Sequence, residues 1–274
     1  MLSYIAAMMK PMVGILLEGS GVVPDLPVTG GYILEALAAQ GHPADNVTAA
    51  AVHNIALQQA ADGRWVGWAI RPPLEGSDIQ ATAYAIRAIK LYPIQGRREE
   101  MDQRVAHAAR WLRTAVAVTT EEHTTRILGL KWAGLDAREI EQAAQQLLRM
   151  QRADGGWSQL SALSSDAYAT AKAVYTLKEV YGPGNRFVQR GVAYLRSTQL
   201  ADGTWHVKSR SFALQPLKDT DFPHGRDQWI SAAATSWAVI ALSQDQMGKL
   251  QTKTVQPAAR PSSAGPVAAR QVNR

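Results

Sequence analysis

The connection between residues 206 and 227 gathers Asp219, Asp221, His224, Arg226 and Asp227. Two carboxylates near an imidazole can supply an acid or hold a metal ion. Asp221 and Asp219 are therefore the candidate catalytic acids. Their spacing matches no standard metal motif, and a structural loop of ion pairs and caps explains the same residues equally well. Long connections inside compact domains often carry function, which keeps this one a candidate. The chain contains no cysteine. That excludes a thiolate nucleophile and Cys-ligated zinc, and no cofactor or metal motif is found.

These residues must be positioned by a repeated element. Three segments fit Q-x-x-D-G-x-W: Gln59 to Trp65, Gln151 to Trp157, and Gln199 to Trp205. The first two lie 92 residues apart and the last two 48, so a worn copy is expected between the first pair, near Trp111. A second pattern alternates with the first. It is an acid or hydroxyl, three residues, then Thr before an apolar run: Asp25 and Thr29, Asp78 and Thr82, Glu121 and Thr125, Asp166 and Thr170, Ser231 and Thr235. An acid or Ser before such a run reads as an N-cap, so Asp78, Glu121 and Asp166 are assigned first as structural caps.

The runs 83–91, 126–133, 171–180 and 236–242 are apolar nearly all round, which predicts buried helices. The runs 47–58, 101–115, 139–150 and 186–198 are amphipathic, which predicts helices with one wet face. Asp-Gly after each Gln predicts a turn with positive φ, and the Trp locks that turn onto its neighbour. The unit is an outer helix, a turn and an inner helix, repeated about five times. No strand pattern of useful length appears. The fold class is all-α, and the apolar inner helices favour a closed α/α toroid over residues 1–248. The inner-helix N-termini then converge on one mouth, where Gln80, His123 and Tyr168 occupy equivalent places. Together with Trp229 and Trp237 they are the candidate ligand cavity, suited to a mostly apolar molecule. Polar residues bonded to loops and a packed aromatic core are the plainer alternatives.

Formal net charge is +6, of which Lys253, Arg260, Arg270 and Arg274 supply +4. The body is close to neutral, so a nucleic-acid partner has no footprint there. Residues 249–274 are rich in Pro, Ala and Arg and are expected to be disordered. Residues 1–17 are apolar but broken by Lys10, Pro11 and Gly14. They read as a packed outer helix rather than a signal peptide or a membrane span. The expected location is cytoplasmic or peripheral to a membrane, with peripheral contact and homo-oligomer formation left open.

The stretch from Arg190 and Gly191 through Tyr194, Leu195 and Gln199 to Trp205 resembles the full QW motif of squalene-hopene and oxidosqualene cyclases. Over about residues 20–243 the chain is similar to the prenyltransferase and squalene-oxidase repeat superfamily. Thr220-Asp221-Phe222-Pro223 resembles a cyclase C-terminal T-G-F-P segment with Asp for Gly, and Trp205 to Trp237 resembles a bacterial cyclase-like subgroup. The resemblance implies an α-toroid and an isoprenoid-like hydrophobic ligand. If the protein is an enzyme, it implies a terpene-cyclase-type isomerase or lyase. Class II cyclases protonate an alkene or epoxide with the middle Asp of D-x-D-D followed by Thr-Ala. The matching stretch is Asp78-Ile79-Gln80-Ala81-Thr82-Ala83, in which Gln80 replaces the proton donor. An amide cannot perform that step. The zinc-dependent prenyltransferase branch needs a Cys that is not here. The competing reading is a non-catalytic interaction or scaffold module with a closed or incomplete ring.

Overall fold

The computed structural model describes residues 10–19, 25–68, 71–211 and 219–253. Ten α-helices are found among them: α1 (Val13–Leu17), α2 (Leu26–Ala39), α3 (Asn46–Leu57), α4 (Asp78–Leu91), α5 (Arg98–Thr114), α6 (Thr120–Trp132), α7 (Ala137–Arg149), α8 (Ala167–Tyr181), α9 (Arg186–Ser197) and α10 (Gln228–Lys253). A 3-10 turn, Lys10–Met12, leads into α1. No strand occurs among the described residues, which contain only isolated bridges such as Trp157 to Asp166. The chain divides into a unit ending at Leu242 and a second unit beginning at Ser243, of which only the continuation of α10 is described. The tail expected to be disordered, 249–274, begins instead inside a helix, since α10 continues to Lys253; residues 254–274, like 1–9, lie outside the described residues.

Burial sorts the helices into two kinds. Helices α4 and α8 bury side chains on every side, including Ile79, Ala83 and Ile86 of α4 and Ala169, Ala173 and Val174 of α8. Helix α7 buries one stripe, Ile140, Ala144 and Leu147, at helical spacing, flanked by half-buried Ala143 and Leu148, and exposes most of the rest. Helix α9 does the same with Val188, Gly191, Val192 and Leu195. The inner helices α2, α4, α6 and α8 pack each on the next. Helix α10 joins α8 through Lys178 Nζ, which donates to the Ala241 carbonyl at 2.6 Å. The outer helices α3, α5, α7 and α9 flank them. Asn54 Nδ2 donates to the Leu16 carbonyl at 2.9 Å and fastens α1 to α3.

Side chains cap most helices, and two of the expected caps belong to other residues. Asp166 Oδ1 accepts the Ala169 N–H at 2.9 Å, as its place before α8 requires. Burial nevertheless pushes its carboxyl above the usual range. Helix α4 is capped by Ser77 instead of Asp78. Asp78 sits one residue inside the helix, where it accepts the Gly67 N–H at 3.0 Å and pairs with Arg64 at 3.0 Å. Helix α6 is capped by Thr119 in a capping box with Glu122, which frees Glu121 to turn inward. Asp25 precedes α2 without a side-chain cap. Helix α10 begins at Gln228, so Ser231, read as its cap, lies inside it.

On the outer surface, Glu100 of α5 receives Arg97 Nε at 2.7 Å and Arg104 Nε at 3.0 Å. The Arg97 bond, opposed by partial burial and assisted by Arg104, lowers its carboxyl pKa to about 2. A depressed folded pKa adds stability above the unfolded value of 4.5, lost as pH falls through about 2. The side chain is 38% exposed, so solvent screening leaves about 1 kcal/mol of that effect. Glu100→Gln should therefore lower urea stability by about 1 kcal/mol at pH 7 and by nothing measurable near pH 2.

Candidate functional site

The three Q-x-x-D-G-x-W segments share one hydrogen-bond plan. Each Gln Nε2 donates to the carbonyl of the motif Gly: Gln59 to Gly63, Gln151 to Gly155 and Gln199 to Gly203, all at 2.9 Å. Each Trp Nε1 donates to a carbonyl ten residues upstream, in the outer helix it follows: Ile55, Leu147 and Leu195, at 2.6, 2.8 and 2.8 Å. Each Trp N–H donates to the Thr of the next inner helix, Thr82, Thr170 or Thr235, at 2.9, 2.9 and 3.1 Å. The recurring Thr is therefore the acceptor that ties a turn to its inner helix. All three indoles are buried.

The first two turns also seat on the following outer helix. Gln59 Nε2 donates to Arg104 O at 3.0 Å, and Gln151 Nε2 donates to Phe187 O at 2.8 Å. Gly155, at φ +87°, lies so close to α9 that an added Cβ would stand 2.8 Å from Arg190 O. Gly203, at φ +85°, has only Gln199 near its own added Cβ, at 3.9 Å. Gly203→Ala should cost about 1 kcal/mol for the left-handed backbone alone. Gly155→Ala should cost about 2–3 kcal/mol, because it also pushes α9 away. Equal losses in paired urea melts would show that the seat on α9 contributes nothing.

Between the inner helices runs a column of polar and aromatic side chains supplied by α2, α4, α6, α8 and α10. Its centre is an ion pair of Glu121 and Lys172, with Nζ 3.1 Å from Oε1 and side chains 6% and 0% exposed. Gln80 Nε2 donates to the same carboxylate at 3.2 Å, and the Tyr168 hydroxyl donates to Oε2 at 3.0 Å. Gln80 also donates to the Leu74 carbonyl at 2.7 Å, which ties the column to the loop above it. Lys172 Nζ donates to the Tyr84 hydroxyl at 3.4 Å and lies 4.2 Å from the Trp237 ring centroid. The Tyr84 ring packs tilted against Tyr32, with centroids 4.1 Å apart, and against Trp132, at 5.8 Å. Farther along, Arg87 covers Trp132 at 5.0 Å and pairs with Glu35 at 3.0 Å.

The three side chains that meet the Glu121 carboxylate, Lys172, Gln80 and Tyr168, are all donors. Burial first, then the nearby Glu121 charge, pushes the Tyr168 hydroxyl well above its ordinary range. Burial likewise raises Tyr84. Both stay protonated and able to donate at neutral pH.

Gln80 and Tyr168 meet through the Glu121 carboxylate between them. His123 is buried but joins no bond of the column, and burial holds its imidazole below the usual range, helped by Arg126. Trp237 enters the column, whereas Trp229 stands on the outside, 54% exposed. Asp219 and Asp221 are both exposed, and Asp219 Oδ1 accepts the Asp221 N–H at 2.9 Å. In the same connection, Asp227 accepts the Ser209 N–H at 2.8 Å and pairs with His206 at 2.8 Å. Partial burial would raise the Asp227 carboxyl, but these two partners outweigh it and leave it below the usual range. No group of three metal-binding side chains is found among the described residues. Residues 212–218 of this connection lie outside the description.

Lys172 was not legible as functional, because a lysine inside an Ala-rich helix reads as a surface residue. The signal was present in its register. It stands two residues after Thr170, as Tyr84 follows Thr82 and Trp237 follows Thr235. Concavities among the described residues include two shallow depressions on α5, of about 610 and 320 Å³, lined by Arg97, Arg98, Glu99 and Gln103 among others. Neither is lined by a column residue. No helix among the described residues is long and apolar enough to cross a membrane. No protein-family model matches the chain, and no curated protein matches it.

Proposed function

We propose that the chain is a cyclase-like α/α toroid that no longer carries out catalysis and acts as an interaction module. The observation behind this reading is the buried Glu121–Lys172 pair, which occupies the space between the inner helices that an isoprenoid would have to enter if the helices form a ring. A prenyl chain entering there would have to separate the pair and leave two buried charges without partners, at several kcal/mol each. Gln80 at the acid position and the exposed Asp219 and Asp221 point the same way, since none combines burial with access to a bound alkene. The decisive assay incubates the protein with squalene and shorter polyprenyl substrates, follows products by mass spectrometry and records melting with each lipid. Unchanged substrate and an unchanged Tm are expected. A cyclised product, or a saturable rise in Tm, would overturn the reading and restore isoprenoid binding.

A further inference from the structure

Inner helices α4 and α8 are covered on all sides by their neighbours, but α10 is not. Its buried face is Ile230, Ala234, Ala238 and Ala241. The opposite face carries Trp229, Ser236, Val239 and Ile240, all exposed, with Ala232 and Ala233 half-buried between them. These positions recur at helical spacing and form one stripe without a charge. The turn before α10 is likewise open among the described residues: an added Cβ on Gly203 has only Gln199 near it, at 3.9 Å, and Leu200 beside them is exposed. The face that passes from repeat to repeat as buried interface is thus exposed at α10 among the described residues.

We propose that a second copy of this chain covers the stripe. The inference deepens the interaction-module reading by naming the partner. The stripe continues an interface that already packs one inner helix on the next, and it matches itself. Its bulky residues lie at both ends and its small ones in the middle. In an antiparallel crossing, Trp229 of one copy meets Val239 and Ile240 of the other, while Ala233 faces Ser236. A two-fold interface requires that self-complementarity, because one patch must serve both subunits. The small central residues let the helices approach to about 8 Å. A face without charge gives a charged partner nothing to recognise.

Sedimentation velocity of the full chain, from about 1 to 100 µM, should show a concentration-dependent dimer. Trp229→Lys should weaken dimerisation at least tenfold while leaving the melting curve of the monomer in place. The absence of native cysteine allows a second test. A mixture of Ala233→Cys and Ser236→Cys chains should form a mixed disulfide faster than either does with an Asp102→Cys control on α5. A chain that stays monomeric throughout, with no preference for the 233–236 pair, overturns the proposal. Protection of Ser236→Cys from maleimide in such a monomer would assign the stripe to the chain's own terminal residues. A cyclised product in the lipid assay would overturn the non-catalytic reading and leave the dimer measurement standing.

Discussion

Lys172→Met should destabilise the protein by about 3–5 kcal/mol, because it leaves the Glu121 carboxylate buried with only Gln80 and Tyr168 as donors. Methionine matches the length of the lysine stem and can lie against the Trp237 ring, so lost packing contributes little. Nearly all of the loss comes from the stranded charge. Glu121→Gln strands Lys172 in turn and should cost a similar amount. The double variant carries neither charge and should recover to within about 1 kcal/mol of the starting protein. Urea melts of the four proteins give the coupling directly. A loss below about 1 kcal/mol for Lys172→Met would mean that solvent reaches the column, and would reopen the axis to a ligand.

The same cycle separates the two readings of the column. A ligand site gains function from groups whose loss weakens binding while the fold tolerates it. A filled axis does the opposite. The pair also ties α6 to α8, and Lys172 reaches α4 and α10 as well. A buried ion pair contributes little net stability against apolar residues of the same size, so its value lies in fixing which helices meet and in what register. We expect the double variant to be stable yet less uniquely packed, with lower near-UV dichroism from Trp237 and Trp132.

Much of this architecture was legible in the sequence. Helix type follows from periodicity, and the outer and inner runs lie on α3 to α10, five of the eight passing a helix end by one residue, because a one-sided and an all-round apolar pattern have different burial. The turns were legible because Asp-Gly and Trp perform fixed physical tasks. The caps were less so. Ser77 and Asp78 are adjacent and both able to cap, and only the backbone decides that Ser77 does so while Asp78 bonds to Gly67. Thr119 took the cap of α6 in the same way, and Glu121, read as a cap, became the centre of the column. The Glu121–Lys172 pair spans 51 residues, and no local pattern joins residues so far apart. The equivalence of Tyr84, Lys172 and Trp237 emerges only once Thr82, Thr170 and Thr235 are aligned as acceptors of Trp N–H groups.

Trp157→Ala should be the most damaging single change at a turn, lowering stability by about 3–5 kcal/mol and Tm by roughly 10 °C. The indole is fully buried in the second core cluster, and an added Cβ on Gly191 of α9 would stand 2.9 Å from its ring. Its removal opens a cavity between α7 and α9 and takes the Nε1–H donor, at 2.8 Å, from the Leu147 carbonyl, which keeps the longer bond from the Met150 N–H at 3.3 Å. Trp157→Phe keeps most of the packing and should cost about 1–2 kcal/mol for the lost bond. Trp205→Ala should cost less than Trp157→Ala, because the second turn is also bonded to the following helix α9 through Gln151 and Phe187 O, whereas among the described residues Gln199 of the third turn bonds only to its own Gly203. How the loss spreads tests the architecture. In a linear array, damage at one repeat destabilises that repeat and its neighbours, and unfolding splits into stages. Here the column links the first inner helices to the last, from Tyr32 through Tyr84 and Lys172 to Trp237. Trp157→Ala should therefore unfold in a single transition at lower temperature, with the same midpoint by fluorescence and far-UV dichroism. Two separated transitions would show that the column does not couple the repeats, and that each helix pair stands largely on its own.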